Sequence, residues 1–299
     1  MKHYLAAILG FVIWGTFSLV LKPLSDFAAL DILLFRVIFA SILIGCACLL
    51  WRRKQLLYTL RYIRKLSGKT RRMLAVNLVT SALLLAINWY LFIYVMNQVS
   101  VSATALAYLI CPIITTVLAS LFLKERLYQL QRVAVAICVL SCLIMGYGHF
   151  LDILFSSVIA LTYAMYLILQ KNKFPMDRML MLATHIIIAT LCLLPLLSVS
   201  DFSRPKPVMF FGYIGLIALV YTIIPLLLNV FALRKLDSSV VGILLYLNPL
   251  IGFGLGIFYY NEPVTTVQLI AFTLIFIAVV LFNVSYFNGK KKDRILRVE

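Results

Sequence analysis

Arg36 is the first residue whose chemistry needs explaining. It stands about eight residues into an apolar run, between Phe35 and Val37. A charge at that depth of a membrane costs ~3 kcal/mol or more, so an ionisable residue there is read by default as functional. Its planar fork suits bidentate capture of a carboxylate or phosphate. The competing role is a structural ion pair with Asp31, although five helical residues set the two side chains roughly 140° apart. Trp14, Ser18 and Lys22 are spaced by four, share a helical stripe and would put Lys22 at the outer rim of any cavity the stripe lines. Anchoring at the membrane edge is the alternative for this Trp and Lys. His185 is the histidine deep in an apolar run, a possible proton relay or a packed, hydrogen-bonded ring.

Neutral hydrogen-bonding groups accompany these charges. Tyr221, Pro225 and Asn229 are spaced by four and make a polar stripe; Tyr108 and Thr104 lie near Pro112, and Tyr246 and Asn248 near Pro249. Asn88 with Trp89 and Thr162 with Tyr166 add further candidates. Each is either cavity lining or interhelical glue. Pro112, Pro225 and Pro249 fall inside apolar runs. A proline there removes an amide donor and disturbs the carbonyl four residues earlier, leaving polarity that needs a partner. The three are therefore candidate helix breaks for gating.

Other chemistries lack their parts. The chain has no Gly-x-Ser-x-Gly, no His-Glu-x-x-His, no paired intramembrane aspartates and no phosphate-cradling glycine loop, which argues against an intramembrane enzyme and against ATP-driven transport. The six cysteines lie in apolar runs without metal-ligand spacing and read as small buried hydrophobes, so no metal and no cofactor is expected. Among the acids only Asp31 approaches a membrane interior, a poor endowment for a cation-driven pump.

The elements that carry these residues follow from composition. With 64% hydrophobic and 12% charged residues, against ~45–50% and ~25% in ordinary globular chains, the chain cannot cover a water-exposed surface. Ten runs near 4–21, 28–51, 73–96, 103–122, 131–147, 153–170, 179–197, 208–233, 239–260 and 265–287 match the ~20 apolar residues that cross a bilayer. They are continuous rather than alternating, which predicts an all-α integral membrane protein with ten transmembrane helices. The first run is longer than the apolar stretch of a cleaved leader and is expected to be retained.

The +17 charge is mostly topology signal. With the N-terminus in the cytoplasm, the inside segments hold 23 Lys and Arg, nine of them in 52–72, against Lys22, Arg204 and Lys206 outside. Both termini are thus expected in the cytoplasm, with anionic lipid headgroups attracted near 52–72 and the basic tail 289–299. No nucleic-acid partner is expected. Leu56, Leu60 and Ile63 in that loop fit a short interfacial helix as well as a solvated basic loop.

A self-comparison at an offset of 137 residues aligns Ser102, Pro112, Glu125 and Gln131 with Ser239, Pro249, Glu262 and Gln268, so each half reads Ser-x9-Pro-x12-Glu-x5-Gln. The division is 1–148 and 149–288. Five spans per half make the second half enter from the opposite side, the inverted repeat that many secondary transporters use to build two faces around one site.

The residues also resemble a known family. Phe11-Val-Ile-Trp-Gly15 with Lys22, Asp31-Ile-Leu-Leu-Phe-Arg36, Asn88-Trp-Tyr-Leu-Phe92 and Tyr108-x3-Pro112 are similar to the RarD-like branch of the EamA transporters, in the drug/metabolite transporter superfamily. Thr222-x2-Pro225, Phe231-Ala-Leu-Arg-Lys-Leu-Asp-Ser-Ser239, Tyr246-Leu-Asn-Pro249 and Tyr260-Asn-Glu262 are similar to the second EamA repeat. The resemblance implies a ten-helix basket with a central cavity and export or exchange of small metabolites or amphiphilic drugs. It departs at Cys111, where related sequences tend to carry Asn before the proline, a residue kept here as Asn248.

Together these observations predict an inner-membrane permease for a small anionic or zwitterionic solute, such as an amino acid, or for a drug, working by alternating access. A non-transporting scaffold or lipid-binding protein with a degenerate cavity is the rival from another class.

Overall fold

The computed structural model describes residues 1–98, 101–147, 150–171, 176–201, 205–261 and 263–295 of the 299. All regular structure among them is helical, as it must be where lipid offers no partner to backbone groups. In chain order the helices are α1 (Lys2–Gly15), α2 (Ser18–Leu21), α3 (Ala29–Trp51), α4 (Arg53–Lys65), α5 (Gly68–Gln98), α6 (Val101–Phe122), α7 (Gln129–Gly146), α8 (Phe150–Leu169), α9 (Arg178–Leu193), α10 (Val208–Ala218), α11 (Ile224–Ala232), α12 (Ser238–Leu244), α13 (Leu247–Phe258) and α14 (Thr266–Ile295). Eight described stretches are long and apolar enough to cross a membrane, and Ala107–Phe122 and Ile153–Leu169 are shorter apolar helices.

The 52–72 segment resolves in favour of a helix, α4. Thr59 is buried and Leu56 packs against the core, whereas Leu60 is exposed, so the inward face is rotated by one residue from the expected stripe. The largest helix contacts join α6 to α8, α7 to α14, α1 to α11 and α5 to α9.

Four apolar runs are interrupted. The first stops at Gly15, where an added methyl would lie 2.7 Å from the Ile251 Cβ, so only glycine allows α13 this close. The chain then restarts as α2 and a 3-10 turn, Lys22–Leu24, which breaks the single stripe expected for Trp14, Ser18 and Lys22. A second 3-10 turn, Leu194–Val199, follows α9. A π-turn, Leu219–Ile223, separates α10 from α11 just before Pro225. The ninth run breaks between α12 and α13, and Pro249 sits in the first turn of α13, whereas Pro112 lies inside a continuous α6. The two prolines therefore share spacing and differ in backbone consequence.

Local geometry repeats at the same 137-residue offset. The positive-φ non-glycine residues among the described ones are Lys124 and Asn261. The Gln131 side chain accepts the Tyr128 amide at 2.9 Å, and the Gln268 side chain accepts the Thr265 amide at 2.9 Å, as in a capping box. After α6 the Glu125 amide reaches back to the Ala119 carbonyl around left-handed Lys124, a Schellman closure. Glu262 and the Ser102 side chain lie outside the described residues.

The crossing of α12 on α6 is equally tight: a methyl at Gly242 would stand 2.9 Å from the Thr115 Cγ2. Gly242→Leu is expected to cost ~1–3 kcal/mol through overpacking and to lower the melting midpoint in detergent, while Gly212→Ala, in open space, leaves it unchanged.

Candidate functional site

The central cavity is built where α1, α3, α5, α6 and α8 meet. Its inner chamber, about 80 Å³, is lined by Trp14, Asn88, Trp89, Tyr108, Cys111 and Tyr163 among others. Its outer chamber, also about 80 Å³, is lined by Phe17, Leu33, Arg36, Asn88, Trp89 and Phe92 among others. Asn88, Trp89 and Phe92 belong to both and form the partition between them.

Arg36 projects into the outer chamber with its guanidinium carbon 5.2 Å from the Trp89 ring centre, a cation–π arrangement. Its buried Nε has no hydrogen-bond partner, and no ion pair of Arg36 is found among the described residues. Asp31 is engaged elsewhere. Its carboxylate accepts from Lys206 Nζ at 2.6 Å and from the Asp201 amide at 3.0 Å, fully buried. The ion pair with Asp31 that the sequence left open is thus replaced by one with Lys206.

Trp14 and Tyr221 show what the Pro225 break does. Proline at 225 frees the carbonyl four residues earlier, and the Trp14 indole N–H donates to that Tyr221 carbonyl at 2.8 Å. Trp14 therefore presents only its ring to the chamber, edge-on to Tyr163. Tyr246 does not take the carbonyl that Pro112 frees, that of Tyr108; its hydroxyl donates to the neighbouring Leu109 carbonyl at 2.7 Å while the ring is fully buried. It lines neither chamber.

The remaining candidates divide. Tyr108 lines the inner chamber and packs edge-on to Phe92. The Asn88 amide donates to the Ile159 carbonyl at 2.9 Å and to Thr162 Oγ1 at 3.1 Å, so Thr162 fastens α8 to α5 rather than lining either chamber. Lys22 is exposed and lines neither chamber, its Nζ 3.6 Å from the Tyr260 ring centre. Asn248, Pro112, Pro225 and Pro249 line neither chamber. The Thr104 side chain lies outside the described ones.

A second set of buried polar groups lies beside the inner chamber. Tyr163 stacks on Tyr166, and Tyr166 meets the His185 ring edge-on at 5.9 Å between centres. The hydroxyls of both tyrosines, both ring nitrogens of His185 and the amide of Asn229 are buried with no hydrogen-bond partner. Leaving such a group unpaired costs ~1–3 kcal/mol; four such side chains, Tyr163, Tyr166, His185 and Asn229, make an arrangement that apolar packing alone does not explain.

One contact was legible in the sequence as spacing without its role. The Glu125 carboxylate accepts from the Ser238 amide at 2.7 Å, the Ser239 amide at 3.0 Å and the Ser239 hydroxyl at 2.7 Å. The acid of the first half thus ties down the first turn of α12 in the second. The repeat marked both residues; a search for acids facing helix N-termini would have joined them.

A bundle of apolar helices with interrupted runs, enclosing small, mostly aromatic and aliphatic chambers into which Arg36 and Asn88 project, defines a multi-pass membrane protein with an internal cavity. The chain belongs to the EamA-like transporter family, whose model matches residues 1–147 and again 150–284. It is 30% identical to the uncharacterized transporter YojE of Bacillus subtilis, over 98% of this chain and 97% of that one. It is 27% identical to RarD of Streptomyces exfoliatus (94% and 88% covered) and 26% identical to RarD of Escherichia coli (93% and 92%). A protein of known crystal structure superposes with a TM-score of 0.74 over 95% of this chain and 98% of its own, at 11% identity, a likeness of fold.

Proposed function

We propose that this protein is a secondary transporter of a bacterial cytoplasmic membrane, moving a small anionic or zwitterionic solute such as an amino acid by alternating access between two five-helix halves inserted in opposite senses. The observation that carries this reading is Arg36: a half-buried arginine over Trp89 whose buried Nε has no partner, on the same helix as an Asp31 already committed to Lys206. A buried charge without a counter-charge is strongly unfavourable, so a carboxylate or phosphate of the cargo is its natural partner. Flux of a labelled solute into liposomes holding only the purified protein is the test. A scaffold or lipid-binding protein gives none, and absence of flux across an anionic metabolite panel selected by thermal shift overturns the proposal.

In this reading both termini and α4 are cytoplasmic. A single cysteine at position 61, on a background without native cysteines, is expected to react with a membrane-permeant maleimide in intact cells and to resist an impermeant one. Reaction with the impermeant reagent reverses the orientation.

We assign proton coupling to His185. Asp31 is occupied, and the imidazole is fully buried against Tyr166 with both nitrogens unbonded. His185→Gln is expected to preserve solute counterflow between equal pools and to remove accumulation driven by a pH gradient. If accumulation persists, the ring is packing only.

A further inference from the structure

We propose that the groove between the start of α5 and the end of α8 binds the headgroup of an anionic phospholipid of the cytoplasmic leaflet. The groove has a volume of about 740 Å³ and is lined by Lys69, Arg72, Met73, Val76 and Thr80 of α5, with Leu169 of α8 opposite. These α5 positions fall at i, i+3, i+4, i+7 and i+11, one face of a helix. Two cations, Lys69 and Arg72, stand at the start of the groove, followed by apolar Met73 and Val76 and then polar Asn77 and Thr80. Met73 and Val76 are both 57% exposed, an apolar surface that faces either an acyl chain or nothing.

Charge complementarity fixes the sign of the occupant. Residues 52–72 contain nine Lys and Arg and no acid. Among the described residues no ion pair engages Lys69 or Arg72, so the groove keeps its positive charge. Leu169 also walls a second, more apolar cleft of about 420 Å³ formed with Phe122, Leu118 and Met165. The two clefts flank the same helix end, one suited to a headgroup with its chain and the other to a chain alone. A basic pocket between helices at the cytoplasmic surface is the recurring design for anionic-lipid capture. This site is separate from Arg36, and its occupancy does not depend on what is transported.

The experiment is a thermal melt of the full-length protein in neutral detergent, titrated with phosphatidylglycerol, phosphatidylcholine or inorganic phosphate. Phosphatidylglycerol is expected to raise the midpoint by roughly 5 °C near saturation, with phosphatidylcholine and inorganic phosphate giving no more than a fifth of that. Lys69→Gln with Arg72→Gln removes the phosphatidylglycerol shift and leaves the lipid-free midpoint in place, both side chains being exposed. Arg53→Gln with Arg61→Gln, on α4, keeps the shift. An equal shift with phosphatidylcholine, a full shift with inorganic phosphate, or a shift that survives in the Lys69/Arg72 variant overturns the proposal. If the Lys69/Arg72 variant does not fold, loss of the shift in Val76→Trp, which fills the groove without changing charge, decides it. Since no flux is measured, failure here leaves the transport reading untouched.

Discussion

Arg36→Lys is expected to raise the half-saturating concentration of an anionic substrate by roughly ten- to a hundredfold, and Arg36→Gln to remove uptake, with membrane yield near normal for both. A charge-assisted hydrogen bond is worth about 1.5–3 kcal/mol, and each ~1.4 kcal/mol is a factor of ten. Lysine keeps the charge and loses the fork and the flat face that lies over Trp89. Folding is spared because Arg36 makes no ion pair among the described residues; the buried Asp31–Lys206 pair joins α3 to the chain before α10. The same argument reverses for stability. Removing a half-buried charge that has no counter-charge among the described residues is favourable, so Arg36→Met melts higher than the parent without substrate and loses substrate-induced stabilisation. Transport of an identified anion at the parental rate by Arg36→Gln places the substrate elsewhere.

Which parts of the site could be read from the chain depends on whether the physics is local. The freed carbonyl of Tyr221 follows from Pro225 alone, four residues on; that Trp14 from the first helix satisfies it depends on packing across more than two hundred residues. Asp31 and Arg36 could be judged to face apart from helical angle alone, but the true partner of Asp31, Lys206, comes from a loop after α9 that the basic asymmetry had marked only as external. Thr162 shows the limit for polar residues: its type and depth suit a cavity as well as a helix contact, and only the position of Asn88 on α5 decides for the contact. The break between α12 and α13 falls three residues before Pro249, while α6 runs unbroken through Pro112, so a proline marks stress in a helix without fixing how the backbone relieves it.

The second large effect is expected at Glu125, whose carboxylate holds three hydrogen bonds to the start of α12. Two of its donors are first-turn amides, where the helix dipole also favours a negative charge. Glu125→Gln keeps the shape, loses the charge and turns one of the two accepting oxygens into an NH2 that can only donate, so at least one of the α12 amides loses its acceptor. With charge-assisted bonds worth about 1 kcal/mol more than neutral ones and a lost bond costing about 1–3 kcal/mol, the balance between this closed arrangement and one with α12 released shifts by roughly a hundredfold or more. In the orientation proposed above, this contact seals the cytoplasmic end, with Glu125 following α6 and Ser239 opening the ninth run. Val241, fully buried one turn into α12, reports the seal. A cysteine there is expected to be nearly inert to maleimide in the parent and readily labelled from the cytoplasmic side in Glu125→Gln. Glu125→Asp, with the charge retained on a shorter arm, falls between the two. Transport should slow because the return to the outward-facing state is disfavoured, with substrate affinity at Arg36 little changed from the same side. Labelling of position 241 at the parental rate in Glu125→Gln makes the three hydrogen bonds a static cap, and the moving contact must then be sought at the break between α12 and α13.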